Sequence, residues 1–368
     1  MSIIVCARNE AENLREHLPL WLDQTVFDEY FRRYSLGTGS ERSGDPRTSG
    51  AKPHRDGAQN SEVKAAASVG QSELIIVDDG SEDESVAIVR TYQRYCDWLR
   101  LIELPQPSRP GKKAALTAGI QAARNEFLLL TDADCRPASR KWAALMIAPL
   151  NAQVELVLGY SPYLTDANLL GRWQAFETTY TARQYIGFAH IGLPYMGVGR
   201  NLAYCKHFFE RANGFQEHAR IAGGDDDLLV SQSARAGSTE VQIQKEAWTY
   251  SKPANSWPDY WRRKRRHLSV GIYYKQSLKI LLGGLALSHG LHYLLGLILL
   301  IAGYWQLVIM VYLVRIIVVL LATARFPPGA LRSLGSLLFF DAALCFYYLF
   351  SLWATLLAPP TSDWSSRN

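Results

Sequence analysis

The chain has 368 residues, 48% of them apolar, a formal charge of +5 and five scattered cysteines. That length exceeds what one ordinary core needs, so two structural units are expected, and the composition excludes a disordered chain and a disulfide scaffold. Cys6, Cys96, Cys135, Cys205 and Cys345 form no C-x-x-C pair and read as reduced thiols of a cytosolic compartment, while the mild basic excess points to a membrane surface and not to nucleic acid.

Met1 leads directly into an apolar run with no basic region before it, so no secretory leader is expected. Ser2 to Ala7 is a β-branched segment of the kind that forms a buried parallel strand. Arg8-Asn9-Glu10 interrupts it, and from Glu12 to Trp21 the residues Leu14, Leu18 and Trp21 share one helical face. Arg33 to Gln71 is rich in Ser, Gly, Arg and Lys with almost no periodic apolar residues. That is the composition of a disordered insertion, with an ordered regulatory or partner-binding loop as the other reading. Glu73 to Val77 is the second strand, closed by Asp78-Asp79-Gly80-Ser81. A helix over Ser85–Leu99, a strand over Leu101–Leu104, a helix over Lys112–Arg124 and a strand over Phe127–Thr131 follow, the last running into Asp132-Ala133-Asp134. Strands alternating with helices predict an α/β domain around a largely parallel sheet, in which ligands bind beyond the carboxyl ends of the strands. Both acidic clusters stand at such ends.

The C-terminal third changes character. Ile280–Tyr304, Trp305–Ala324 around a single Arg315, and Leu334–Leu357 around a single Asp341 are each long enough to cross the roughly 30 Å hydrocarbon core as a helix. A soluble helical core would need polar faces that these segments lack. Arg315 and Asp341 are expected to pair, because a lone charge in the bilayer is costly. The run Arg262-Arg263-Lys264-Arg265-Arg266, with Lys275 and Lys279 behind it, places the preceding domain in the cytoplasm; Arg325 and Arg332 agree with a cytoplasmic return and an outer C-terminus. The expected division is a catalytic unit over 1–275, a membrane unit of about three helices over 276–358 and a tail over 359–368.

The chemistry-bearing residues fall into a few groups. Asp132 and Asp134 flank one small residue at a strand end, a spacing that lets two carboxylates converge on one Mg2+ or Mn2+ ion, which in turn neutralises a diphosphate. Asp78 and Asp79 are open to the same argument; they also suit an Asp-Gly-Ser turn and a helix cap, which is compatible with Asp78 binding a nucleotide base. Gly111-Lys112-Lys113 sits at a helix start where backbone amides and a lysine could meet phosphate. No Walker spacing accompanies it, and no G-x-G-x-x-G follows the first strand, which speaks against a nicotinamide dinucleotide. Gly223-Gly224-Asp225-Asp226-Asp227 runs into Leu228-Leu229-Val230, so the cluster is drawn toward a packed helix start. There one carboxylate could take a proton from an attacking hydroxyl, and Asp227 is expected to cap or brace the helix. Gly197 to Tyr204 is a glycine-rich turn, and the basic aromatic run Trp257–His267 suits lipid head groups, a diphosphate or plain water.

Taken in order, Ala7-Arg8-Asn9-Glu10, Val77-Asp78-Asp79-Gly80-Ser81, Gly111-Lys112, Asp132-Ala133-Asp134, Gly199-Arg200-Asn201 and the acidic cluster resemble the family 2 glycosyltransferases of GT-A fold. The run Arg262–His267 is similar to that family's Q-x-x-R-W region, without its glutamine and with Arg266 or His267 where tryptophan is expected. The likeness covers about residues 1–275, and the apolar spans resemble membrane-attached members. It implies a nucleotide-sugar donor, usually UDP-linked, a divalent cation, and an inverting transfer to an acceptor hydroxyl of a glycan, lipid or polysaccharide. Carried over by position, Ala7, Arg8, Glu10, Asp78, Asp79, Gly111, Lys112 and Asp132 border the donor, with Asp78 on the uracil. Asp132 and Asp134 hold the metal; Gly199, Arg200 and Asn201 line the acceptor side; Arg262, Arg265 and Arg266 meet the diphosphate or the interface. The family's E-D pair matches its aspartate to Asp225, whereas its glutamate position is Gly224, which keeps Asp226 as a rival base. The other readings are a non-catalytic membrane scaffold and a nucleotidyltransferase.

Overall fold

The computed structural model describes residues 1–28, 72–109, 111–164, 168–324 and 334–357. The expected insertion over Arg33–Gln71, the loop residues Arg325 and Arg332, and the tail lie outside the described residues. Among the described residues nine strands are formed: β1 (Ser2–Ala7), β2 (Glu73–Asp78), β3 (Leu99–Glu103), β4 (Phe127–Asp132), β5 (Cys135–Pro137), β6 (Leu156–Gly159), β7 (Leu202–Cys205), β8 (Thr239–Gln242) and β9 (Thr249–Ser251). Seven make one sheet in the order β3-β2-β1-β4-β7-β6-β8, and β5 pairs with β9 beside it.

Strands β3, β2, β1 and β4 are mutually parallel. The sheet is not parallel throughout, because β7 runs antiparallel to both β4 and β6. This reversal matters for the site. It brings the residues that precede β7, Gly199 and Arg200, to the same edge of the sheet as the carboxyl ends of β1, β2 and β4. All six residues of β1 and of β2 are buried, as two-sided burial of a central parallel strand requires. Side chains alternate between the faces: Ile4, Ile75, Val77, Leu128 and Leu130 pack in one core, and Ile3, Val5, Leu74, Ile76 and Leu129 in the other.

The helix expected over Ser85–Leu99 ends at Gln93, and the next strand starts at Leu99, two residues earlier than its pattern suggests. Cys96 and Trp98 extend the apolar spacing past the helix, but they are buried as a plug, Trp98 stacking on Phe27 at 5.8 Å. Three helices, Gln276–Ile301, Trp305–Ala324 and Leu334–Leu357, follow the α/β unit among the described residues. By length and composition Gln276–Ile301 suffices to cross a membrane, with a mean hydropathy of 1.7, and it leaves most of its leucines and isoleucines exposed, while Leu278 and Leu282 pack on the α/β core. Polar groups meet where the three helices touch. Arg315 donates from Nε to Asp341 Oδ2 at 2.9 Å and from Nη2 to Oδ1 at 3.0 Å. Tyr293 donates its hydroxyl to the same carboxylate at 2.6 Å, and His289 Nε2 lies 2.9 Å from the Asp341 carbonyl. A third apolar cluster, Trp173, Phe176, Tyr260, Ile316, Phe340 and Leu344 among its members, joins these helices to the α/β unit.

Candidate active site

A cavity of about 390 Å³ opens at the strand-end edge of the sheet. Asp132 ends β4 and Asp134 lies just before β5, so the chain turns between them and both residues line the cavity. Ser251 of β9 donates its hydroxyl to Asp134 Oδ2 at 3.2 Å. Oxygens of Asp132 and Asp134 and the Cys135 sulfur lie within 4.8 Å of one another. Two hard oxygen donors on a cavity wall suit Mg2+ or Mn2+, so the residues fit a divalent cation. Burial pushes the Cys6 thiol above its ordinary range, so it is not primed as a thiolate.

Lys112 connects this pair to the acidic triplet. Its Nζ lies 2.5 Å from Asp132 Oδ1 and 3.2 Å from Asp225 Oδ2. Burial alone would depress the ammonium, but the two carboxylates outweigh it and hold its pKa well above the ordinary value. The turn that delivers it needs Gly111, whose φ is +67° and where a Cβ would sit 2.1 Å from the Ala222 carbonyl oxygen. Lys113 reinforces the same contact from one residue on, donating to the carbonyls of His218 at 2.6 Å and Ile221 at 2.9 Å.

The three aspartates point to three different partners. Asp225 faces Lys112. Asp226, not Asp227, is the N-cap of the Asp227–Ser233 helix: its Oδ1 accepts from the Asp227 N–H at 2.8 Å and its Oδ2 from the Gly199 N–H at 2.7 Å. Burial, and then the Asp225 charge, push its pKa up to about 6. Asp227 braces the helix by accepting from the Tyr274 hydroxyl at 2.9 Å, and burial raises it well above the carboxylate range. Gly224 has φ +85°, and a Cβ there would sit 2.5 Å from Leu228 Cδ1. A glutamate in that place would be strained and would strike the helix it introduces.

The remaining expected residues divide. Glu10, Gly199 and Arg200 line the cavity. Arg200 lies 4.6 Å over the Tyr163 ring, its carbonyl is held by Thr131 and Thr249, and its buried Nη1 has no hydrogen-bond partner among the described residues. Asn201 is absent from the cavity wall. Fully buried, it spends its amide on the Tyr160 and Ala247 carbonyls and its Oδ1 on Trp142 Nε1, so it pins the wall from behind. Ala7 and Arg8 also stand off the cavity, the Ala7 carbonyl accepting from the Asp79 N–H. Asp79 Oδ1 is taken by the backbone and hydroxyl of Ser108, while Asp78 keeps Oδ1 buried without a hydrogen-bond partner among the described residues. On the Trp257–Leu268 helix Arg262, Arg263, Lys264, Arg266 and His267 line the cavity; Arg265 is exposed on another face.

One whole wall escaped the sequence reading: Gln174, Glu177, Thr178 and Thr181 of the Leu169–His190 helix, with Tyr160 and Tyr163. The signal was present in Leu169-Leu170, Trp173, Phe176 and Tyr180 at helical spacing behind a capping Asn168, whose Oδ1 accepts from the Gly171 N–H at 2.7 Å.

Residues 63–203 match the model of the family described as Glycosyl transferase family 2. A dolichyl-phosphate beta-glucosyltransferase of Trichomonas vaginalis is 42% identical over 62 residues, 17% of this chain and 18% of that protein. A probable glycosyltransferase of Bacillus subtilis is 23% identical over 202 residues, 53% of this chain and 46% of that one. The chain thus spans less than half the length of these curated relatives. Among solved structures, a mannosyltransferase from Pyrobaculum calidifontis in complex with GDP-Man and Mn2+ aligns over 96% of this chain and 83% of its own, at 19% identity and a TM-score of 0.49. S. aureus TarS 1–349 in complex with UDP-GlcNAc aligns over 74% and 67%, at 14% identity and a TM-score of 0.43.

Proposed function

From the match of residues 63–203 to the Glycosyl transferase family 2 model, we propose that the chain is a member of that family and moves a sugar from a nucleotide-sugar donor, UDP-linked, to an acceptor hydroxyl, with inversion and with a divalent cation. The observation that carries this reading is the convergence on Lys112: one ammonium touches both Asp132 and Asp225. A metal pair and the Asp225 carboxylate therefore share one cavity. Asp132 and Asp134 would hold the cation, which when bound supplies positive charge for the leaving nucleoside diphosphate.

The chain's own residues do the rest. Asp78, with its buried free oxygen, suits an N–H donor of the base. Arg200, Arg263 and Arg266 supply fixed positive charge where the departing diphosphate develops negative charge, the arrangement that stabilises a leaving anion. Asp225 takes the proton of the acceptor hydroxyl, since Asp226 is spent on two backbone amides and Asp227 on Tyr274. The three apolar helices hold the enzyme in the bilayer with the α/β unit on the cytoplasmic face, in line with the basic residues beside the first of them. The acceptor is a glycan, a lipid or a growing polysaccharide presented at that face; the dolichyl-phosphate substrates named for the Trichomonas relatives favour a lipid.

The test is Asp225→Asn, which keeps the shape and cannot accept a proton. Turnover should fall on the order of 100-fold to 10,000-fold with donor binding retained. Normal turnover in Asp225→Asn together with loss in Asp226→Asn would move the base by one residue, and full activity in both would sink the reading.

A further inference from the structure

Glu177 is a buried carboxylate, 3% exposed, on the cavity wall, and none of the steps above uses it. Its oxygens lie 2.5 Å from Lys264 Nζ. It does not act alone. Trp173, Gln174 and Glu177 stand three and four residues apart, on one face of the Leu169–His190 helix. All three reach the same neighbouring segment. Gln174 exchanges two hydrogen bonds with the Ala254 backbone, at 2.7 and 3.0 Å, just ahead of the Trp257–Leu268 helix. The Trp173 indole N–H donates to the Tyr260 hydroxyl at 2.8 Å, in that helix's first turn. Glu177 takes Lys264, one turn further along.

Two anchors a turn apart fix a helix in rotation as well as in position. Arg263 and Arg266 project into the cavity from this helix, and Lys264 lies between them in sequence. Resting on the glycosyltransferase reading above, we propose that Glu177 is a positioning residue. By holding the Lys264 ammonium it sets the rotation of the basic helix and so aims Arg263 and Arg266 at the nucleoside diphosphate. Breaking a buried pair from one side leaves the other charge uncompensated, so Lys264 would turn outward and carry the arginines with it.

The experiment uses the full chain in detergent, with calorimetric binding of UDP and of GDP in the presence of Mn2+, and donor KM and kcat alongside. Glu177→Gln should weaken nucleoside diphosphate binding and raise donor KM on the order of 10-fold, the scale of a misaimed binding group. The Glu177→Gln/Lys264→Gln pair, which leaves no lone buried charge, should show the same loss and no more than Lys264→Gln alone. It also covers the case in which the single variant does not fold. Nucleoside diphosphate affinity within twofold of the parent in the folded single or double variant, whatever happens to the melting temperature, overturns the positioning role. A parent chain that binds neither nucleotide overturns the glycosyltransferase reading itself, and this role with it.

Discussion

Each acidic residue of the site owes its role to a neighbour that it does not choose by itself. Asp134 shares its oxygens with Ser251 and stands opposite Asp132 because β4 ends and β5 begins within three residues. If the pair is a cation site, Asp134→Asn should abolish the Mn2+ dependence of UDP binding while the melting temperature stays within a few degrees of the parent. Titration calorimetry with and without the metal measures this, and an unchanged metal dependence removes the residue from the site. The D-x-D pair and the acidic triplet could be read from the sequence because a strand end and a following apolar run mark them. Which aspartate does what could not. That division depends on the left-handed backbone at Gly224, the Gly199 amide and the Tyr274 hydroxyl, and the last two are remote in sequence.

Among the elements, the central strands were legible because burial on both faces leaves runs such as Ile3-Ile4-Val5 and Leu74-Ile75-Ile76-Val77 with few other fates. The Leu169–His190 helix was not. Its first half packs Trp173 and Phe176 toward the apolar helices, and its second half packs Ala182, Tyr185 and Ile186 against the sheet, so no single apolar stripe runs its length. The antiparallel β7 was equally hidden, since a four-residue buried strand carries no mark of its direction. Behind it the short Lys206–Arg211 helix is tied to the sheet by Arg211 and His207, both on Glu155. The Arg211 guanidinium, opposed by some burial and helped by His207, lowers the Glu155 pKa from 4.5 to about 2. A carboxylate depressed on folding stabilises the native state above its unfolded pKa and loses that contribution as pH falls through the folded one. Thermal unfolding between pH 6 and pH 2 should therefore drop more steeply in the parent than in Arg211→Gln. Parallel curves would show that the pair contributes nothing.

At the scale of the molecule, the α/β unit meets the apolar helices through both the Leu169–His190 and the Trp257–Leu268 helices, in the cluster of Trp173, Phe176, Tyr260, Phe340 and Leu344. The pairing of Arg315 with Asp341 could be anticipated because each is the lone charge of an apolar segment. Its extension to His289 and Tyr293 could not, because that depends on how three helices turn about one another. The Trp257–Leu268 helix faces the cavity with Arg262, Arg263 and Arg266, while Trp261 meets Phe350 at 4.0 Å and Tyr347 at 6.3 Å on the Leu334–Leu357 helix. A membrane helix answers a mismatch between its apolar length and the lipid by tilting. Tilt of Leu334–Leu357 would then reach the nucleotide through Trp261 as a change in the aim of the cationic wall. If these helices span a bilayer and the chain transfers sugar as proposed, acyl-chain length would control the transfer with no regulatory ligand involved. In vesicles of graded thickness the donor KM should pass through a minimum, and a flat response would show that the two bodies are mechanically independent.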